Sequence, residues 1–288
     1  MGITITLMNA KGGVGKSTIA VAVPEVLSTF YHQNVLIIDS DSQMSSSFMT
    51  QSPHALVQRQ VDELTLLNYL EKSLISKRAL PWQPFVVDDV SDVDDAHGVS
   101  LFQGHLELML FERALSEKQL YKDIRDIIRT LLDSLKQRYD VVIIDCPPGI
   151  SVLTEAWLRE ADYYISPVKP DFLSLSGLQM LKSFQNRDPN MGFAKNLGAL
   201  VNMKDPRSLN DDFFHEHLKE DSDNYCFETV VPVSVPLKNA SQYFPEQRSY
   251  PAKYPGEVGR ALKALTEEIL QRVSYHSNQN IGQESNTG

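Results

Sequence analysis

The stretch that decides the fold is Ala10-Lys11-Gly12-Gly13-Val14-Gly15-Lys16-Ser17-Thr18, which lies between a short apolar run at residues 3–7 and a helical pattern that begins at Ser17. Its three glycines allow the backbone to curl, so that successive N–H groups face the oxygens of a phosphate. The positive end of the following helix adds to this attraction. A turn of this composition between a strand and a helix predicts a phosphate-binding loop.

The side chains of the loop have separate predicted roles. Lys16 is expected to meet the β- and γ-phosphates, and Ser17 is expected to hold Mg²⁺. The usual pattern G-x-x-x-x-G-K-[ST] is not met, because Ala10 stands at the place of its first glycine and Lys11 follows as a second cation. A lysine at that point can turn away from its own phosphates and reach a nucleotide held by a neighbouring subunit.

The spacing KGGVGKST resembles the deviant Walker A motif of the ParA/MinD family of ATPases. The segment 35–43 (VLIIDSDSQ) is similar to the family's second motif, a strand ending in D-x-D, although Ser42 stands where the family usually has proline. Asp145, which closes the run 141–144 and precedes Cys-Pro-Pro-Gly, resembles the Walker B carboxylate.

Weaker likenesses continue along the chain. Segment 200–202 resembles the strand end whose asparagine contacts adenine, and Val231-Pro232 resembles the short segment that flanks the base. Less specific parts of the family pattern are matched by Asp162, Pro167, segment 173–178 and segment 104–108. The resemblance therefore covers nearly all of residues 1–273 and is weakest over 51–98.

This resemblance implies a set of site residues. The cofactors would be ATP and Mg²⁺, with the metal held by Ser17, Asp39 and Asp145, and Asp41 would orient the attacking water beside Lys11 and Lys16. The nucleotide would be bound by Gly12, Gly13, Val14, Gly15, Lys16, Ser17, Thr18, Asn202 and Pro232. From the residues alone, a strand-end carboxylate such as Asp39 or Asp145 can instead cap a following helix, and asparagine is common at strand ends.

Apolar strands separated by helices predict a single-domain α/β P-loop NTPase with a mostly parallel twisted sheet covered by helices on both faces. We expect this domain over residues 1–275, an irregular insertion-like region over 51–98 and a disordered polar tail over 276–288. The predicted strands are 3–7, 35–38, 99–102, 141–144, 163–166, 197–202 and 229–231. The predicted helices are 17–31, a pair within 108–135 that breaks near Ser116, and 257–273.

Composition excludes several classes of protein. The 288 residues carry a net charge of −10, which disfavours a generic polyanion binder. Two cysteines 80 residues apart give neither a disulfide framework nor a zinc site, and His215 and His217 lie on different faces of a predicted solvated helix. No segment has the pattern of a secretion signal or a membrane span. These observations predict a cytoplasmic protein without a membrane partner.

An acidic string at 88–95 is expected to be a solvated loop, with a divalent-ion loop as the alternative. A local basic excess lies at the other end of the chain, where residues 237–273 hold six basic and four acidic side chains. This excess is compatible with DNA binding, and equally with a solvated helix.

The resemblance implies a ParA-like ATPase of the short type that forms an ATP-dependent sandwich homodimer. Such a protein binds DNA nonspecifically, associates with the nucleoid when ATP-bound, and positions or partitions a plasmid or another cargo. Its hydrolysis is stimulated by a ParB-like protein or another cargo adaptor. The alternatives are a MinD-like membrane-associated positioning ATPase, and a nucleotide-gated DNA-binding scaffold with negligible turnover.

Overall fold

A computed structural model describes residues 1–187 and 192–284. The strands are β1 (Ile3–Leu7), β2 (Val35–Asp39), β3 (Val86–Val87), β4 (Val99–Phe102), β5 (Val141–Asp145), β6 (Tyr163–Val168), β7 (Lys195–Lys204) and β8 (Val231–Pro232). The helices are α1 (Lys16–Tyr31), α2 (Ser45–Thr50), α3 (Pro53–Val61), α4 (Leu66–Ser76), α5 (Leu108–Glu117), α6 (Tyr121–Leu135), α7 (Val152–Glu160), α8 (Phe172–Arg187), α9 (Leu209–Glu220), α10 (Val235–Ala240), α11 (Tyr250–Lys253) and α12 (Glu257–Glu284).

The strands described form one sheet in the order β3-β4-β2-β5-β1-β6-β7-β8. Every neighbouring pair is parallel except β3 with β4. The predicted fold class is therefore confirmed: a single-domain, mostly parallel α/β sheet with a phosphate loop after its first strand.

Both faces of the sheet are covered by helices. Val35 and Ile37 point into an apolar cluster with α1 and α12, whereas Leu36 and Ile38 point into a second cluster with α5, α6 and α7. Because side chains alternate along a strand, a run that is apolar at every position must be buried on both sides. The continuous apolar runs of the sequence follow from this double burial.

The strand register places three carboxyl ends side by side. Leu7 of β1 and Asp39 of β2 both lie opposite Asp145 of β5. Ligands of parallel α/β sheets bind outside the carboxyl ends of the strands, where connections leave in opposite directions. The register therefore brings the phosphate loop, Asp39 and Asp145 to one edge.

Residues 51–98 are more regular than predicted, since they contain α3 and α4. Pro53 occupies the first turn of α3 after the Ser52 cap, and Thr65 caps α4 through a reciprocal bond with Asn68. Both patterns are known signals for the start of a helix. The prolines of this region instead indicated irregular structure.

The acidic string is only partly solvated. Asp92 forms an ion pair with Arg248 at 2.7 Å and contacts Lys253, while the Asp88 carboxylate accepts a hydrogen bond from Ser100 Oγ at 2.7 Å. The solvated-loop prediction is wrong for Asp92, because Arg248 and Lys253, more than 150 residues along the chain, neutralise its charge. Asp88 stays exposed and accepts one hydrogen bond from the neighbouring strand.

The boundary predictions differ at the C-terminal side of the sheet. The pair α5 and α6 breaks after Glu117 as expected, but α12 continues to Glu284, eleven residues beyond the predicted end at Val273. The expected disordered tail 276–288 is therefore helical as far as 284, and residues 285–288 lie outside the described part. His276 packs its ring beside Tyr163, which ties the helix to the sheet there.

Candidate nucleotide site

The loop between β1 and α1 has the backbone expected of a phosphate cradle. Gly13 and Gly15 have φ angles of 71° and 84°, in the left-handed region that favours glycine. Gly15 precedes the first turn of α1 without any side-chain cap. The first N–H groups of α1 are therefore available to an anion.

A cavity of about 470 Å³ opens above this loop. Its lining combines the loop with polar and apolar side chains from the ends of β2, β5 and β7. The lining residues are Gly12, Gly13, Gly15, Lys16, Ser17, Thr18, Asp41, Gln43, Ser45, Phe48, Met49, Pro148, Met203 and Ser241. Of the residues predicted to bind the nucleotide, Gly12, Gly13, Gly15, Lys16, Ser17 and Thr18 line this cavity, whereas Val14 is buried behind the loop.

Lys16 is 6% exposed at the floor of the cavity. Burial lowers the pKa of its ammonium group, while the carboxylates of Asp145 and Asp41 raise it in opposition. A cation that has already lost most of its water interacts strongly with an incoming phosphate. This environment fits the predicted contact with the β- and γ-phosphates.

Asp145 and Ser17 offer the donor set that Mg²⁺ prefers. Asp145 is fully buried; its Oδ2 accepts a hydrogen bond from Ser46 Oγ at 2.5 Å, and its Oδ1 has no partner among the described residues. Burial raises the pKa of Asp145 to about 6, while the hydrogen bond from Ser46 and the nearby hydroxyl of Ser17 act against this rise. An unpartnered buried carboxylate oxygen beside a hydroxyl fits a divalent cation.

Asp39 lies beneath the site and, like Asp145, is fully buried and does not line the cavity, so its metal role stays a prediction. Its Oδ2 accepts hydrogen bonds from the backbone N–H and the hydroxyl of Ser47, at 2.8 and 2.6 Å. Burial with the nearby Asp145 carboxylate raises its pKa to about 8. Asp39 therefore braces the start of α2 beneath the site, the capping role that the residues alone left open.

Asp41 lies at the rim of the cavity, as expected of a residue that faces the nucleotide. It is 7% exposed, and its Oδ1 accepts the N–H of Gln43 at 2.9 Å. Gln43 lines the same cavity. The turn after β2 thus presents a fixed carboxylate to the space above the loop.

Neither Asn202, predicted to contact adenine, nor Pro232, predicted to flank the base, lines the cavity. Asn202 is fully buried and donates from Nδ2 to the carbonyl of Val14 at 2.8 Å. Met203 and Ser241 line the cavity. Sequence reasoning missed both, because a single methionine and a single serine carry no spacing signal.

Lys11 is turned away from the cavity. Its Nζ lies 2.6 Å from Asp171 Oδ2 in the first turn region of α8, and the two side chains are 25% and 40% exposed. Lys11 is not among the lining residues. Asp171, whose role was not predicted, is thus the partner of the second cation within the same chain.

Half of the basic side chains in the C-terminal segment 237–273 form ion pairs or hydrogen bonds within the protein. Lys253 is 2% exposed and contacts Glu25 and Asp92, and Arg272 donates to the carbonyl groups of Leu197, Tyr225 and Cys226. Arg248 pairs with Asp92. The predicted patch is therefore reduced to Lys238, Arg260 and Lys263, and the Lys263 ammonium lies over the Phe30 ring.

The histidines do not assemble a metal site. His215 is 6% exposed beside Lys204 Nζ at 3.2 Å, so it is a buried residue and not part of a fully solvated helix face as predicted. His217 is exposed on the same helix. Among residues 1–187 and 192–284, no group of three or more histidine, cysteine, aspartate or glutamate side chains is arranged to hold a metal ion.

The fold and the loop define a P-loop nucleotide-binding protein of the mostly parallel α/β class. The AAA_31 family model, described as "AAA domain", matches residues 2–191, and the chain belongs to that family. This match and the sequence relatives that are named Soj identify the chain as a member of the ParA/MinD family of ATPases.

One relative in sequence is the chromosome-partitioning ATPase Soj of Thermus thermophilus, which is 27% identical over 93% of this chain and 96% of its own length. A solved plasmid partition protein of Borrelia burgdorferi bound to AMPPNP has a TM-score of 0.72 at 19% identity, over 94% of this chain and all of its own. The cobyrinic acid a,c-diamide synthase of Mycobacterium smegmatis, solved with an ATP analogue and magnesium, has a TM-score of 0.71 at 21% identity, over 95% and 96%. Both structural likenesses concern the fold.

Proposed function

We propose that this chain is a ParA-like ATPase that binds ATP with Mg²⁺ and forms an ATP-dependent homodimer. Hydrolysis of ATP separates the two chains of this dimer. In this role it positions or partitions DNA or another cargo, and a ParB-like or other adaptor protein accelerates hydrolysis. The relatives named for partitioning support this assignment.

The placement of Lys11 carries the proposal. This cation adjoins the phosphate loop yet lies outside the cavity of its own chain, at a partly exposed position. Two triphosphates that face each other across a dimer repel strongly, and a lysine from each chain between them offsets this repulsion. Nucleotide occupancy is then linked to pairing of the chains.

Lys16, the loop N–H groups and Mg²⁺ held by Ser17 and Asp145 would neutralise the phosphates. The metal supplies charge neutralisation at the transferred phosphoryl group. Asp41, fixed at the cavity rim, would orient water in line with the γ-phosphate. Catalysis of this kind works mainly by positioning.

Replacing Asp41 should separate binding from hydrolysis. In Asp41→Ala we expect phosphate release to fall by about 100-fold or more, because the water loses its orienting carboxylate, while ATP binding is retained. Phosphate release and titration with a fluorescent ATP analogue measure the two properties. Asp126→Ala, at an exposed position on α6, is the control; turnover of Asp41→Ala within twofold of wild type would refute the role.

DNA binding is proposed from the resemblance, with Lys238 and Arg260 as the exposed cations that remain of the basic segment. Two cations per chain give about four phosphate contacts per dimer, so the logarithm of the binding constant should fall with that of the salt concentration with a slope of about −4. Fluorescence anisotropy of labelled duplex DNA measures it with ATP and with ADP. An ATP-bound dimer that ignores DNA at low salt would disprove this part.

Among the residues that the structure describes, no helix is both long and apolar enough to cross a membrane.

A further inference from the structure

Two buried asparagines hold the phosphate loop, one at each end. Asn9 lies two residues after the end of β1 and Asn202 lies near the end of β7, and both are 0% exposed. Neither lines the cavity. We propose that these two side-chain amides are positioning residues that fix the loop backbone in its nucleotide-binding conformation before the nucleotide arrives. The proposal rests on the nucleotide binding within the proposed function and not on dimerisation or hydrolysis.

The rear of the loop is held through a carbonyl group. Asn202 Nδ2 donates to the Val14 carbonyl at 2.8 Å, and its Oδ1 accepts the N–H of Met203 at 2.9 Å. The peptide bonds of the described chain are trans, so the C=O and N–H of one peptide unit point in opposite directions. Fixing the Val14 carbonyl toward Asn202 therefore directs the Gly15 N–H away from it, toward the phosphate side of the loop.

The front of the loop is held through an N–H group. Asn9 Oδ1 accepts the backbone N–H of Lys11 at 2.8 Å, while Asn9 Nδ2 donates to the Pro167 carbonyl of β6 at 2.8 Å. The side chain thus uses one bond to anchor itself on the sheet and the other to set the direction of the loop. This bond also sets the point from which the Lys11 side chain leaves.

Two glycines make room for these amides. A Cβ at Gly15 would lie 2.2 Å from Asn202 Nδ2, and a Cβ at Gly177 of α8 would lie 2.4 Å from Asn9 Oδ1. Gly177 stands far from the loop in sequence, and no spacing rule singles it out. A glycine at position 177 is explained if the Asn9 amide must keep this position, because any larger residue would clash with it.

The test compares ADP affinity with stability in the full-length chain. In Asn9→Ala and Asn202→Ala we expect the dissociation constant for fluorescently labelled ADP to rise about tenfold, because a buried loop N–H or carbonyl loses its partner and the loop relaxes. Asn196→Ala is the matched control. Asn196 Oδ1 accepts the backbone N–H of Gly198 at 2.9 Å, just as Asn9 Oδ1 accepts that of Lys11, but it lies at the opposite end of β7 from Asn202. It should bind ADP like the wild type.

Gly177→Ala displaces the Asn9 amide while the sequence of the loop and both asparagines stay unchanged. Alanine favours a helix over glycine, so a purely structural effect would leave ADP affinity unchanged. We expect weaker ADP binding, with thermal midpoints recorded without nucleotide to show that each variant is folded.

ADP affinities within twofold of wild type in both asparagine variants, or an equal loss in Asn196→Ala, would overturn the proposal. A wild-type chain that binds no ADP would overturn the proposed function as well. This result differs from a failure of the asparagine proposal alone, in which the wild type binds ADP and the variants bind it equally well.

Discussion

Lys11→Ala is expected to bind ATP and ADP about as well as the wild type and to remain monomeric with ATP and Mg²⁺, whereas the wild type is expected to dimerise. The reason is electrostatic: Lys11 lies outside its own cavity, so its loss leaves the cradle intact. The same loss removes the cation that would offset repulsion between two facing triphosphates. Light scattering at matched protein concentration with ATP and with ADP measures the mass, and a fluorescent nucleotide titration measures the affinity.

Lys16→Ala is the control for the loop itself, since that lysine lines the cavity and should be needed for nucleotide affinity. It should lose binding and dimerisation together. If Lys11→Ala dimerised with ATP as the wild type does, the lysine would have no role in pairing, and the nucleotide-gated switch would need another basis.

Lys253→Met is expected to lower the free energy of unfolding by about 3–5 kcal/mol, the largest stability effect that the ion pairs suggest. The Lys253 side chain is 1% exposed, and its Nζ lies 2.7 Å from Glu25 Oε1 and also contacts Asp92. Glu25 lies within α1 and receives a second bond from the Tyr254 hydroxyl at 2.7 Å. Removing the ammonium group leaves the buried Glu25 carboxylate without a cation, whereas Asp92 keeps Arg248. Urea denaturation followed by circular dichroism measures the change.

The double variant Lys253→Met/Glu25→Gln should recover part of the lost stability, because it removes one negative charge with the positive one. Lys72→Ala is the surface control: its pair with Glu63 has side chains 42% and 64% exposed, and such pairs contribute about 1 kcal/mol or less. A Lys253→Met protein within about 1 kcal/mol of wild type would show that the buried network contributes little.

Local sequence predicted the elements that position the site. Continuous apolar runs indicated strands buried on both faces, and the glycines of the loop indicated its position between β1 and α1. The family resemblance implied that Asp39 and Asp145 share one site, and the parallel register accounts for their closeness, because parallel strands share their carboxyl ends. These features depend on spacing along one short segment, which a sequence displays directly.

Contacts between distant segments escaped prediction. The pairing of Lys11 with Asp171, the use of Asn202 as a support for the loop, and the burial of Lys253 each join residues separated by more than 150 positions. Charge counting treated Lys253 as a surface cation, because composition does not show which charges meet inside the fold. The contact of Asp39 with Ser47 of α2 was missed as well, because its position at a strand end does not show which helix it meets.

The most direct test of the nucleotide-gated switch is a crystal structure of the hydrolysis-deficient Asp41→Ala protein with ATP and Mg²⁺. We predict two chains related by a twofold axis, with Lys11 Nζ released from Asp171 and within hydrogen-bonding distance of a phosphate oxygen of the nucleotide in the opposite chain. A structure with ATP bound in which Lys11 stays on Asp171 and touches no second chain would contradict the account.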